Sequence, residues 1–273
     1  MLIDYHIHNH FSPDSDSPTE AIIEKALKMG LSAICITNHS ETFTEGEGLP
    51  GTVQPDALKR FEKAKQEIGD FQKKYPDLMI GFGGEIQYED DMRPVTELVE
   101  KTRFDFILGS VHNLDGTNIS GHTHADQFFE RQTEEQAYHR YFEEMLKLIG
   151  WGRIDAVAHF DIIKKYGHEY YGPFKPEKYK TILTAILKKM KEKGIGMELN
   201  TGSMHRRCRE LFPHPTILKW CVEIGIEHFT LGSDAHDVHE IARYFDEAFR
   251  IAKDAGIRTL STYRNRQPTK HQI

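Results

Sequence analysis

Cysteine is scarce. Cys35, Cys208 and Cys221 are the three in 273 residues, and none has the paired spacing of a disulfide framework. No run approaches the roughly 18 apolar residues of a membrane span, and the first residues lack the charged and apolar regions of a secretion signal. Basic residues are not in excess: 35 Lys and Arg face 42 Asp and Glu, a net charge of −7, which gives no reason to expect a nucleic-acid partner. No linker or composition break divides the chain, so one domain over residues 1–273 is expected, long enough to bury a large core. These absences point to a soluble, cytoplasmic protein handling a small molecule; they leave its oligomeric state open. What the sequence has in unusual number is histidine, 16 in all.

The histidines have an order. Met1 to Asp4 reads as a short apolar strand with His6 and His8 at its C-terminal end. In extended chain, residues two apart point the same way, so these two imidazoles can serve one metal. A nearby carboxylate such as Asp4 or Asp14 can ligate or orient them, and the donor types suit zinc, iron or manganese.

Similar polar residues follow later apolar segments. Ser17-Pro18-Thr19-Glu20 reads as a capping box ahead of a helix ending at Gly30. Ala33–Ile36 is a strand running into His39, and 55–75 a long amphipathic helix. Leu78–Phe82 leads to Glu85, and Phe104–Leu108 to His112. A long connection over 113–132 carries His122 and His124. After a helix over 134–149, the segment 155–158 leads to His159. Helices over 176–193 and 215–224 flank a strand ending at Glu198; 228–231 then leads to Asp234 and His236, and a helix over 240–255 follows. Ile257–Leu260 reads as a last short strand, and the tail from Arg264 carries no readable signal.

Strand, polar turn and helix thus alternate about seven times. Repeated βα units form an open doubly wound sheet or close into a barrel. The barrel is favoured, because it gathers His6, His8, His39, Glu85, His112, His159, Glu198, Asp234 and His236 at one mouth. Singly, each has an ordinary account: His39 could bond backbone at a strand end, Glu85 could be a turn carboxylate, and Asp234 could cap a helix. Jointly they exceed the donor set of one ion, since zinc takes about four ligands. Two or three metals are implied, and paired metals activate water and hold phosphoryl oxygens.

The ordered motifs Asp4-x-His6-x-His8, Thr37-Asn38-His39, Gly84-Glu85, Ser110-Val111-His112, His159-Phe160-Asp161, Glu198-Leu199-Asn200-Thr201 and Ser233-Asp234-Ala235-His236 resemble those of the PHP (polymerase and histidinol phosphatase) superfamily. The resemblance implies a distorted (β/α)7 TIM-like barrel with three divalent ions, zinc, manganese or iron. It assigns His6, His8, Glu85 and Asp234 to one ion, lets Glu85 bridge to a second held by His112 and His159, and gives Asp14, His39 and His236 to the third. Several family members have histidine where Asp14 falls; Asp16 is the alternative ligand. The harder carboxylate would favour manganese or iron there.

The segments His159–Tyr166 and Glu198–Gly202, with the chain length, are similar to those of monofunctional histidinol-phosphate phosphatases. That similarity implies hydrolysis of L-histidinol phosphate by a metal-bridging hydroxide, in histidine biosynthesis. Glu85, Asp234 and His205 are the expected catalytic residues, His205 as a candidate proton donor. Arg206, Arg207 and Lys165 are candidate phosphate ligands, because guanidinium forks and ammonium charges suit phosphoryl oxygens. Glu41, Glu45, Glu47 and the 113–132 loop are candidate contacts for the substrate's ammonium and imidazole. Competing readings are a phosphoesterase of the same superfamily acting on nucleotides or another small phosphomonoester, and a non-catalytic metal- or phosphate-binding module.

Overall fold

The computed structural model describes residues 1–41, 56–121, 125–206 and 208–273. Strand β1 (Ile3–Ile7), helix α1 (Thr19–Lys28), β2 (Ala33–His39), α2 (Ala57–Lys74), β3 (Met79–Gln87), α3 (Arg93–Thr102) and β4 (Phe106–Ser110) open the chain. A small hairpin, β5 (Asn113–Leu114) and β6 (Thr117–Asn118), precedes α4 (Ala125–Phe129), α5 (Glu134–Trp151) and β7 (Ala156–Val157). Then come α6 (Lys164–Tyr171), α7 (Lys180–Lys193), β8 (Gly196–Asn200), α8 (Pro215–Ile224), β9 (Phe229–Gly232), α9 (Phe245–Asp254), β10 (Thr259–Arg264) and β11 (Gln267–Gln272).

Seven strands form one parallel sheet in the order β1-β2-β3-β4-β7-β8-β9. Its two edges meet, with His8 N–H donating to Ala235 O and Asp234 N–H to His6 O, both at 2.9 Å. The result is the expected (β/α)7 barrel, nearly closed. Below these bonds the Asp4 carboxylate completes the seam, accepting from Ser233 N–H at 2.9 Å, Ser233 Oγ–H at 2.6 Å and Ala242 N–H at 3.1 Å. Asp4 therefore joins the two edges. β1, β2, β4, β7, β8 and β9 are buried throughout, as strands sealed by helices outside and side chains inside must be.

Several strands outrun their apolar segments. β1 extends to Ile7, β3 to Gln87 and β8 to Asn200, so His6, Glu85 and Glu198 are strand residues. The ladder continues because inward polar side chains satisfy one another at the barrel mouth. Other expectations need correction. Ser17 caps nothing in α1; its hydroxyl donates to His236 O at 3.1 Å. A capping box stands instead at α5, between Thr133 and Gln136. The helix expected from Glu240 begins at Phe245, after a 3₁₀ turn over Val238–Glu240 and left-handed backbone at Ala242 and Tyr244. The tail is structured: Asn265 and Arg266, both at positive φ, turn β10 into β11. Arg264 pairs with Asp105 at 3.1 Å and Arg266 with Asp155 at 3.0 Å, fixing this hairpin across the barrel floor just ahead of β4 and β7.

Candidate metal centre

The C-terminal ends of six of the seven strands bring the candidate ligands together in one cluster. His6 comes from β1, His39 from β2 and Glu85 from β3; His8, His112 and His159 follow β1, β4 and β7, and Asp234 and His236 follow β9. Backbone geometry contributes, since His159 (φ 24°) and Asp234 (φ 57°) both occupy left-handed conformations that residues with a side chain adopt seldom and mainly at functional sites.

Glu85 is the hub. Its Oε2 lies 3.0 Å from His6 Nε2, 3.5 Å from His8 Nε2 and 3.2 Å from His39 Nδ1. Its Oε1 lies 2.8 Å from His159 Nε2 and 3.1 Å from His112 Nε2. Asp234 Oδ1 approaches His6 and His8 at 3.4 and 3.5 Å. Asp14 Oδ2 lies between His39 Nε2 at 3.3 Å and His236 Nε2 at 3.0 Å.

Three sets of donor atoms lie close enough to share an ion: His6, His8, Glu85 and Asp234; His39, Glu85 and His112; and His8, Asp14, His39 and His236, each set within 4.8 Å. The first matches the expected grouping. The second has His39 where His159 was expected; His159 lies outside it, 2.8 Å from Glu85 and 3.3 Å from His112. The third gains His8, whose ring stacks on His236 at 4.1 Å. Asp14 belongs to one of these sets and Asp16 to none.

The chemistry of the donor set fits divalent cations. Against the effect of burial, His39, His6 and His112 hold the Glu85 carboxyl well below the usual range, and Asp234 is held well below by its histidine neighbours. Glu198, Asp234 and Glu85 raise His6 well above its ordinary value, and Glu85 and Glu41 raise His112 to about 9, again against burial. His8 goes the other way: burial, with His236 and His39 beside it, pushes it down to about 3, the neutral form that a ligand needs. Its buried Nε2 has no hydrogen-bond partner. The second nitrogens are held in turn: His6 Nδ1 by Glu198 at 2.6 Å, His8 Nδ1 by Ser12 Oγ at 3.3 Å, His112 Nδ1 by Glu41 at 2.9 Å and His236 Nδ1 by Asp234 O at 3.0 Å. Such outer partners fix ring orientation in metal-binding histidines.

Glu198 was expected at the mouth without an assigned role, and Glu41 as a contact for the substrate rather than as a partner of the cluster. Glu41 stands two residues past His39, on the same side of extended chain, and that spacing was the available signal. It is buried against His112 and His39, which removes it as a contact for the substrate ammonium. Glu45, Glu47, His122, His124 and Arg207 lie outside the described residues.

A cavity of about 220 Å³ adjoins the cluster. Asp234 and His236 line it on the cluster side, and Lys165, His205, Arg206, Glu240 and Arg243 are its other titratable lining residues. Lys165 therefore faces the site, its Nζ donating to Ser120 O at 2.8 Å. Lys164 does not, being buried between Asp161 (3.0 Å) and Glu210 (3.1 Å). Glu240 and Arg243 were not foreseen, because the helix expected there is replaced by a turn that directs them to the cavity.

The PHP domain profile matches residues 4–202. The chain is 27% identical over 263 residues to a protein of Clostridium acetobutylicum named a probable histidinol-phosphatase, covering 94% of this chain and 95% of that one. It is 24% identical over 262 residues to the histidinol-phosphatase of Lactococcus lactis subsp. lactis, covering 96% and 94%. A crystal structure of histidinol phosphate phosphatase from that organism, complexed with zinc, L-histidinol and phosphate, superposes with a TM-score of 0.85 at 24% identity, covering 98% of this chain and 99% of that one. With the profile spanning all but the last strand-end motif, this chain belongs to the PHP domain family.

Proposed function

We propose that this protein is a metal-dependent histidinol-phosphate phosphatase, converting L-histidinol phosphate and water to L-histidinol and phosphate. The observation that carries this reading is a buried cluster of imidazoles and carboxylates opening directly onto a cavity lined by Lys165, Arg206 and Arg243. Full-length likeness to proteins named as histidinol-phosphatases supplies the substrate. The cluster would hold three divalent ions, zinc among the candidates with manganese and iron: one on His6, His8, Glu85 and Asp234, one on Glu85, His112 and His159, and one on Asp14, His39 and His236. Bound ions of this kind lower the pKa of water and neutralise phosphoryl charge.

The chain's own residues do the rest. Glu85 and Asp234 keep the donor set anionic, and Glu198 and Glu41 fix imidazole orientation. Lys165 and Arg206 receive the phosphoryl oxygens from the cavity side, and Arg207 is a further phosphate ligand on the sequence alone. His205 faces the leaving alkoxide as proton donor; burial, Arg206 and Arg243 lower its pKa, so it is a stronger acid whose protonated fraction grows toward low pH. The setting is cytoplasmic, where the buried thiols Cys35, Cys208 and Cys221 stay reduced. Among the described residues no helix is long and apolar enough to cross a membrane.

Steady-state hydrolysis by metal-analysed protein tests this reading. L-histidinol phosphate should exceed p-nitrophenyl phosphate and nucleotides by two or more orders of magnitude in kcat/KM, roughly 2.7 kcal/mol of transition-state discrimination. A flat profile would leave a general phosphoesterase. Turnover that survives exhaustive chelation would reject metal dependence, and absence of turnover in the loaded protein would leave a binding module.

A further inference from the structure

The phosphatase reading leaves the substrate's ammonium group without a partner. In L-histidinol phosphate this cation sits on the carbon next to the phosphate-bearing one, so its counter-charge must stand in the same wall as the phosphate site. That wall is otherwise cationic, with Lys165, Arg206 and Arg243. An ammonium entering it would be repelled unless a carboxylate stood close by.

Most nearby carboxylates are committed elsewhere. Glu41, Glu85 and Glu198 are buried against histidines of the cluster, and Asp14 and Asp234 belong to the ligand sets. Asp161 and Glu210 are paired with Lys164. Glu240 differs. It lines the cavity, its side chain keeps 24% exposure, and its contacts are long: His205 Nε2 at 3.6 Å and His236 N–H at 3.3 Å. Contact with the His236 backbone places Glu240 beside the cluster.

We propose that Glu240 is the specificity-determining residue that binds the ammonium of an amine-bearing phosphomonoester, selecting L-histidinol phosphate over amine-free esters of the same shape. This inference rests on the phosphatase reading above.

The test compares kcat/KM for L-histidinol phosphate with that for the amine-free imidazolylpropyl phosphate, in wild type, Glu240→Gln and Glu240→Asp. The ratio should fall at least tenfold in the Gln variant and recover in part in the Asp variant, which keeps the charge. Calorimetric affinity of the metal-loaded protein for L-histidinol should weaken at least tenfold in Glu240→Gln, with affinity for inorganic phosphate much less affected. An unchanged ratio in Glu240→Gln, or an equal fall for both esters, would overturn the assignment and leave Glu240 as a support for His236. A wild type indifferent to the amine would overturn it as well. A wild type that favours the amine-bearing ester yet does not prefer L-histidinol phosphate over other amine-bearing monoesters would count against the phosphatase's substrate and leave Glu240 standing.

Discussion

Glu198 joins two candidate ligands that come from opposite parts of the chain. Its Oε1 lies 2.6 Å from His6 Nδ1, and its Oε2 accepts from His159 N–H at 2.7 Å, holding the residue whose φ is 24°. Gly232 makes room for this bridge, since a Cβ there would lie 2.3 Å from Glu198 Oε1 and 2.4 Å from His6 Cβ. Glu198→Gln keeps the volume but replaces one acceptor with an amide. Outer-shell changes of this kind cost about 10–100-fold in metal affinity or activity. Zinc titration of chelated protein should show a loss of that size with the fold intact by circular dichroism; unchanged affinity would make Glu198 a packing residue. A second expectation concerns charge. Burial, with Arg206 nearby, lowers the pKa of Lys165. Deprotonation removes a phosphate-binding cation, so kcat/KM should fall as pH rises through that lowered value. In Lys165→Arg the guanidinium stays charged, and the fall should move to higher pH. An identical alkaline limb in the variant would show that another group titrates there.

At the scale of elements, the barrel floor is the part that carries a stability prediction. Tyr5, buried in β1, accepts from Tyr263 N–H at 3.0 Å in β10, and both rings pack on Phe106, at 5.3 and 4.7 Å. Tyr5→Phe leaves the Tyr263 N–H buried without that acceptor, a cost of about 1–3 kcal/mol. Urea unfolding should show that loss while metal content stays constant; loss of metal would mean that the floor and mouth are coupled. Of the hairpin that provides Tyr263, the sequence showed only a short strand over Ile257–Leu260, for a physical reason. β11, Gln267–Gln272, is polar and largely exposed, and its stabilisation comes from Arg264 and Arg266 reaching Asp105 and Asp155, more than 100 residues away in the chain. The strands were legible because fully buried βα strands are short apolar runs closed by turns. Their C-terminal ends were harder to place. His6, Glu85 and Glu198 look like turn residues until the neighbouring strands supply partners for them. Likewise the Ser17–Glu20 pattern satisfies the local rule for a capping box, but the His236 carbonyl competes for the Ser17 hydroxyl.

At the scale of the whole molecule, closure of seven strands turns a one-dimensional recurrence of histidine and acid into a cluster. That recurrence was readable because a barrel sends every strand end to the same mouth. The cavity wall was less readable, since Glu240 and Arg243 reach it through left-handed turns at Ala242 and Tyr244 that no periodic pattern announces. The same closure makes the fold's stability depend on ions. Glu85, on β3, meets side chains from or just after β1, β2, β4 and β7, so ions held by these donors would tie together five strands that are separated in sequence. Ligands that bind the native state alone stabilise it by RT ln(1 + [L]/Kd), about 4 kcal/mol per site at a thousandfold excess over Kd, or roughly 8–16 °C in a chain of this size. Chelation should therefore lower Tm by at least that span, and stepwise zinc addition should restore it. Asp14→Ala removes the carboxylate between His39 and His236, so its metal content should fall by one ion per chain while the Glu85-centred ions remain. Its Tm should then recover only in part on adding zinc. Full recovery with undiminished metal content would remove Asp14 from the ligand set, and a Tm indifferent to chelation would mean that the barrel forms the cluster without help from the ions it was built to hold.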